Sequence, residues 1–193
     1  MIAIIKYNGG NVSSVQNALN RLNISSVITD DQEVIRNADK VIFPGVGEAS
    51  STMKLLKEKG LDKIIPTLKQ PVLGICLGMQ LMCKGNEEGN TEGLGIFDIK
   101  VKRFPPLELV PHMGWNTVSE QKSSLLSGII PENGVYFVHS YYCELSEYTT
   151  SVCDYILPFS ASLQKDNFYA VQFHPEKSGS IGSKILNNFI NLS

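Results

Sequence analysis

The sequence predicts an α/β fold: an open, mostly parallel central sheet with helices on both faces and antiparallel additions. Three observations carry that expectation. Strand-length apolar runs alternate with segments of helical period through the first half. Beyond about Gly89 the apolar stretches shorten and are broken by Pro, Ser and Asn. The 193 residues are about 1.3 times a domain norm of about 150, so a single domain over 1–193 is expected.

Taken in order, Ile2–Ile5 reads as a buried strand, followed by the turn-rich Asn8-Gly9-Gly10-Asn11. Val12, Val15, Ala18, Leu19 and Leu22 then recur at helical spacing, with Asn11 placed to cap. Ser26–Thr29 is a second strand. Val41-Ile42-Phe43 is a third, ended by Pro44-Gly45-Val46-Gly47, and a helix from about Ala49 to Lys59 follows. Val72–Ile75 is a fourth strand that runs straight into Cys76, and the helix after it is expected to reach Cys83. Ile96–Val101, Gly134–Val138 and Phe168–Phe173 are expected to add antiparallel strands to the same sheet before a closing helix, Ile181–Ile190.

Composition excludes several classes. Seventeen Lys+Arg against nineteen Asp+Glu leave a net charge of −2, so there is neither a basic nucleic-acid footprint nor an acidic tail. The four cysteines, Cys76, Cys83, Cys143 and Cys153, form no Cys-x-x-Cys and no zinc-like cluster, so no metal and no cofactor is expected. No window approaches the apolar length of a membrane span, and the N-terminal run is broken at Lys6. A cytoplasmic chain with reduced thiols, and no membrane or nucleic-acid partner, is the expectation.

In open α/β sheets, sites gather at the carboxyl ends of strands. Gly74-Ile75-Cys76-Leu77-Gly78 is the cysteine form of a nucleophile elbow, with about 0.03 matches expected by chance from this composition. The glycines allow a tight strand-to-helix turn, which projects the thiol above the sheet at a helix N-terminus. A base and its orienting group are also needed. Of the three histidines, His174 follows a strand, and Glu176 lies two residues on, where an extended backbone would point both side chains the same way. In Pro44–Gly47, the backbone N–H groups of Val46 and Gly47 join that of Leu77 as candidate oxyanion donors. Cys83, Cys143 and Cys153 read as core thiols.

The Cys76 elbow followed far downstream by His174-Pro175-Glu176 resembles the class I (triad) glutamine amidotransferases. Tyr7–Val15, Pro44–Gly47, Pro111-His112-Met113-Gly114-Trp115-Asn116, Tyr136–Tyr142 and Gln172–Gly179 match in order, and with them the chain is most similar to the glutaminase subunits of imidazole glycerol phosphate synthase, in histidine biosynthesis. The resemblance implies a flavodoxin-like sheet and a glutamyl-thioester mechanism on L-glutamine, with Cys76 as nucleophile, His174 as acid and base, and Glu176 orienting it. It further implies substrate contacts from Gln80, one helical turn beyond Cys76, from Glu88 (Glu87 being its rival), and from the backbone at Ser140 and Tyr141. His139 is then structural. The implied partner is a (β/α)8-barrel cyclase subunit in a heterodimer that receives channelled ammonia, with Pro111, Trp115 and Lys177 at the interface or channel mouth. Two positions depart from the family pattern: Lys6-Tyr7-Asn8 stands for Asp-Tyr-Gly, and Glu48-Ala49 for a small residue and Phe. A paralogous glutaminase serving a sugar-modifying amidotransferase in cell-surface glycan biosynthesis is the alternative.

Overall fold

The apolar runs of the first half become four parallel strands, β1 (Ile2–Ile5), β2 (Ser26–Thr29), β3 (Lys40–Gly45) and β4 (Val72–Cys76). The computed structural model describes residues 1–7, 11–119, 121–130, 132 and 134–192. The expected turn at Asn8-Gly9-Gly10 lies outside the described residues. The helices between these strands are α1 (Val12–Arg21), α2 (Gln32–Arg36), α3 (Ala49–Glu58) and α4 (Leu61–Ile64), and α5 (Leu77–Met82) follows β4. The chain goes on through β5 (Cys83–Asn86), β6 (Thr91–Glu92), β7 (Phe97–Arg103), β8 (His112–Asn116), β9 (Val135–His139), β10 (Tyr141–Cys143), β11 (Thr149–Tyr155), β12 (Leu157–Lys165) and β13 (Phe168–Val171), closing with α6 (Gly179–Ile190).

The main sheet has the order β11-β12-β13-β4-β3-β1-β2. Period-two burial divides its side chains between two cores. Ala3, Ile5, Val41, Phe43, Val72 and Ala170 join α3, α4 and α5 on one face. Ile2, Ile4, Ile42, Leu73, Ile75 and Val171 join α1 and α6 on the other. Helices therefore cover both faces, and β1, β3, β4 and β13 are buried on both sides, while β2 at the sheet edge is half-buried.

The second half departs from expectation in three places. Phe168–Val171 is not an antiparallel addition: it pairs parallel to β4, because β12, antiparallel to it, turns the chain back just before it. The antiparallel additions are β11 and β12, whose serine- and threonine-rich runs hide the apolar alternation. Ile96–Val101 and Gly134–Val138 leave the main sheet altogether. β7 lies in a separate sheet of order β10-β7-β5-β6, and β9 pairs only with β8 in an antiparallel ribbon.

Two local expectations are also corrected. The helix after Cys76 stops at Met82, and Cys83 is extended. The carbonyls of Leu81, Met82 and Cys83 accept instead from the N–H groups of Leu94, Ile96 and Gly95, which caps the helix and starts a strand. Asn11 stands at the N-terminus of α1 but makes no side-chain cap bond.

Candidate active site

Strands β3, β4 and β13 are neighbours and parallel, so their carboxyl ends open onto one edge of the sheet. A cleft of about 380 Å³ lies there, within the range of small-ligand sites. Val46 and Gly47 line it from the end of β3, Cys76, Leu77 and Gln80 from the β4–α5 turn, and His174 from just beyond β13. Glu88, Pro111, Val138, His139, Ser140 and Tyr141 complete the wall.

Cys76 is held at φ 52°, ψ −108°, a conformation that costs a non-glycine residue about 1–3 kcal/mol. Its neighbours enforce it. A Cβ at Gly78 would stand 1.9 Å from the Phe43 carbonyl oxygen, so only glycine lets α5 pack this close to β3. The thiol is buried at 7% exposure and lies 3.9 Å from the Val138 carbonyl oxygen.

His174 Nδ1 donates to Glu176 Oε1 at 2.8 Å, with both side chains only 1% exposed. The sequence argument for this pair assumes extended backbone. The structure instead places Pro175–Lys177 in a 3-10 turn, which brings the carboxylate under the ring. His174 Nε2 has no hydrogen-bond partner among the described residues. Burial opposes charge on this imidazole, but the adjacent Cys76 sulfur and the Glu176 carboxylate outweigh it and push the pKa up to about 10. The site thus favours an imidazolium beside the sulfur.

Of the two rival carboxylates, only Glu88 reaches the cleft. Its Oε2 accepts from the Ala49 N–H at 2.8 Å, whereas Glu87 is exposed and accepts from the Arg103 N–H. Burial raises the Glu88 pKa, the Ala49 N–H lowers it, and nearby Glu48 raises it further. Glu48, one of the departures from the family pattern, caps α3 by accepting from Ser50 and Ser51, whose hydrogen bonds hold its carboxyl at about 2.

Gln80 is 4% exposed and its amide hydrogens are committed to the Tyr141 carbonyl and to Gln172 Oε1, each at 3.0 Å. His139 is fixed by a directed chain. The Tyr141 carbonyl can only accept, so His139 Nδ1 donates to it at 2.7 Å. His139 Nε2 then accepts from His112 Nδ1 at 3.0 Å, and His112 Nε2 accepts from Asn116 Nδ2 at 3.3 Å. Burial holds both rings neutral, His112 down to about 4 and His139 to about 3.

Three of the expected residues lie outside the cleft lining. Glu176 sits behind His174. Trp115 is 61% exposed on β8 and meets the Tyr136 ring edge-on at 6.1 Å between centroids. Lys177 is exposed, with Nζ over the same tyrosine ring at 5.8 Å. Sequence reasoning passes over three further residues. Asn11 Nδ2 donates to Glu176 Oε1 at 3.1 Å, and the Tyr7 hydroxyl donates to the Pro44 carbonyl at 2.5 Å. Gln172 Nε2 lies 3.6 Å from the Cys76 sulfur. Only Gln172 carries a usable signal: it stands two residues before His174 and shares its side of the strand end. Among the described residues no His, Cys, Asp and Glu cluster could hold a metal ion, and no helix is long and apolar enough to cross a membrane.

Comparison with known proteins agrees with this geometry. The sequence model of the family Glutamine amidotransferase class-I matches residues 4–192. The imidazole glycerol phosphate synthase subunit HisH of Bacteroides fragilis (strain YCH46) is 62% identical, over 99% of each chain. The subunits of the same name from Bacteroides thetaiotaomicron and Pasteurella multocida are 57% and 47% identical, the first over 99% of each chain and the second over 98% of this chain and 96% of its own. Among solved structures, a glutamine amidotransferase shares the fold at a TM-score of 0.73 with 18% identity, over 98% of this chain and 97% of its own. Another, from Thermotoga maritima, does so at 0.64 with 17% identity, over 98% and 82%. With one family matched nearly end to end and full-length relatives at these identities, the chain belongs to the class-I glutamine amidotransferases and, within them, to the HisH subunits of imidazole glycerol phosphate synthase.

Proposed function

We propose that the chain, as a single domain over 1–193, is the glutaminase subunit of an imidazole glycerol phosphate synthase. It hydrolyses L-glutamine to glutamate and passes ammonia to a (β/α)8-barrel cyclase subunit in a cytoplasmic heterodimer serving histidine biosynthesis. The observation that carries the reading is the buried Cys76–His174–Glu176 set at one cleft, with a 2.8 Å His–Glu bond.

The Cys76 sulfur attacks the side-chain amide carbon of glutamine, and the carbonyl π pair moves onto oxygen. Leu77, Val46 and Gly47 line the cleft, and the N–H of Leu77 together with that of Val46 or Gly47 would receive that oxyanion. The imidazolium of His174 gives its Nε2 proton to the amide nitrogen, the C–N bond breaks, and ammonia leaves a glutamyl thioester. Neutral His174 then takes a proton from water, whose oxygen attacks the thioester, and glutamate departs as the sulfur recovers its electron pair. Glu176 keeps Nδ1 protonated, so Nε2 is the nitrogen that works. Glu88 and the backbone at Ser140 and Tyr141 are placed to hold the α-amino and α-carboxylate end of the substrate.

Ammonia released into water is protonated and lost as a nucleophile, which is the physical reason for a docked synthase. Exposed Met113 and Trp115 on β8, Pro111 in the cleft wall and exposed Lys177, with its ammonium over the Tyr136 ring, would supply the apolar and cationic surface for it. No observation favours a sugar-modifying synthase as the recipient. The test measures glutamate release by the full chain, alone and with the barrel subunit. Cys76→Ala should abolish release while the complex still assembles. Undiminished release from that variant would overturn the mechanism.

A further inference from the structure

Gln172 immediately follows β13 and is fully buried, a place where a primary amide costs free energy unless every polar atom is paired. Its Nε2 donates to the Cys76 sulfur at 3.6 Å, and its Oε1 accepts from Gln80 Nε2 at 3.0 Å. The other Gln80 amide hydrogen goes to the Tyr141 carbonyl at 3.0 Å, and Gln80 Oε1 accepts from Asn86 Nδ2 at 3.3 Å. Gln80 and Asn86 are themselves buried, at 4% and 5% exposure. The chain has a fixed direction. Turning the Gln172 amide over would set its NH2 against the NH2 of Gln80 and its oxygen against the sulfur, so the N–H toward Cys76 is imposed from two residues away.

The neutral thiol has a use for Val138, whose carbonyl lies 3.9 Å from sulfur and can accept the S–H. Once that proton has gone, the carbonyl offers the sulfur nothing, while an N–H donor offers a charge-assisted bond. We propose that Gln172 is a further catalytic residue, holding and stabilising the sulfur anion of Cys76, with Gln80 and Asn86 as positioning residues that aim its amide. The proposal rests on the glutaminase reading of the cleft and gives Gln80, which also lines the cleft as a substrate contact would, a second role in support of the nucleophile.

The test is alkylation of Cys76 by iodoacetamide as a function of pH in the full chain, followed by mass spectrometry of the Cys76 peptide, since the other three cysteines are also buried. Gln172→Met keeps the side chain's length and removes both donors. Its labelling midpoint should move up by about one pH unit, equivalent to labelling about tenfold slower on the acid side. Asn86→Ala, three hydrogen bonds away from sulfur, should move the midpoint the same way by a smaller amount. An unmoved midpoint in folded Gln172→Met would overturn the proposal. If Gln172→Met fails to fold, Asn86→Ala decides alone: an upward shift supports the relay and no shift overturns it. Alkylation requires no glutamine turnover, so the two readings fail separately. A shifted profile in a chain that releases no glutamate would sink only the glutaminase reading; an unshifted one in an active enzyme would sink only this proposal.

Discussion

Replacing Asn11 by Asp separates two roles that the sequence leaves superimposed. As a helix N-cap, Asp is as good as Asn, and the change would be close to neutral. The structure gives the side chain a different role, in which Nδ2 donates to Glu176 Oε1 at 3.1 Å and no cap bond is made. Asn11→Asp would set two carboxylates at that separation in a buried site. At an effective dielectric of about 20 their repulsion is about 5 kcal/mol, enough that one of the pair takes up a proton instead. The sign with pH follows. The new carboxyl has a folded-state pKa above its unfolded value, so it destabilises little below about pH 4 and increasingly above it, up to that folded pKa. Urea unfolding of wild type, Asn11→Ala and Asn11→Asp at several pH values reads this directly. Asn11→Ala should lose about 1.5–3 kcal/mol, the range for a hydrogen bond to a charged group. Asn11→Asp should be less stable than Asn11→Ala at neutral pH and converge with it in acid. Glutaminase kcat should fall in the same order, with KM nearly unchanged because Asn11 does not line the cleft. An Asp variant as stable as wild type at pH 7 would refute the reasoning and restore the capping role.

Three other outcomes are expected. Tyr7→Phe removes the hydroxyl that donates to the Pro44 carbonyl and should cost about 1–2 kcal/mol of stability by urea titration. It should also lower kcat several-fold through the Pro44–Gly47 loop; unchanged kcat would mean that β3–β4 pairing alone holds the loop. Stability should fall on both sides of neutrality. Buried His112 and His139, at about 4 and 3, bind fewer protons folded than unfolded, so stability declines as pH drops from about 6.5 toward those values. His174, raised to about 10, stabilises fully below about 6.5 and loses its contribution as pH rises through about 10. His139→Gln should flatten the acid limb and His174→Gln the alkaline limb, and either variant with an unaltered profile would contradict its assignment. Trp115→Ala should leave monomer stability within about 0.5 kcal/mol, since the indole is exposed, but weaken binding of the barrel subunit by tenfold or more in calorimetry.

What is legible in the sequence follows from short-range periodicity. β1 to β4, α1 and α3 carry apolar repeats that the sequence shows, whereas α2 and α4, of five and four residues, are too short to show one, and the Gly-x-Cys-x-Gly elbow announces its own backbone strain. β11 and β12 are not legible. Ser151, Ser160 and Ser162 occupy fully buried positions there, where Thr150 and Ser151 hydroxyls pair with Ser162, and Thr149 with Ser160, so polar letters stand where apolar ones signal a strand. The parallel direction of β13 is hidden for another reason: it depends on the intervening hairpin, which no local pattern encodes. In the site, the triad is visible because its chemistry needs rare residue types. Asn11 and Tyr7 are not, because each works through a hydrogen bond to a residue 165 or 37 positions away, and Gln172 shows only its place on the His174 side of the strand end, not its bond to a sulfur 96 positions away.

Five buried side-chain atoms lack hydrogen-bond partners among the described residues; those of Ser26, Asp62 and Gln121 lie on residues outside the cleft lining, and the other two belong to His174 and Glu176. Each of four polar groups around the cleft is satisfied by an element other than its own: Glu176 by Asn11 beside α1, the Pro44 carbonyl by Tyr7, Gln80 by β10 and Gln172, His139 by β8. Folding aligns these pairs only because β3, β4 and β13 end side by side. Within so well-paired a setting, His174 Nε2 and Glu176 Oε2 remain buried without partners among the described residues. An unpaired buried polar atom costs about 1–3 kcal/mol, and a fold that pairs nearly every neighbour has the means to avoid it. His174 Nε2 cannot be paired within the free protein without losing its use. It must take the thiol's proton and deliver it to a leaving amide nitrogen, and a permanent partner would compete with both. Glu176 Oε1, meanwhile, accepts from both Asn11 and His174, concentrating the carboxylate's bonds on the one oxygen that sets the ring. Part of the chain's unpaired cost thus falls on the acid–base pair itself, as expected where local stability has been given up for function.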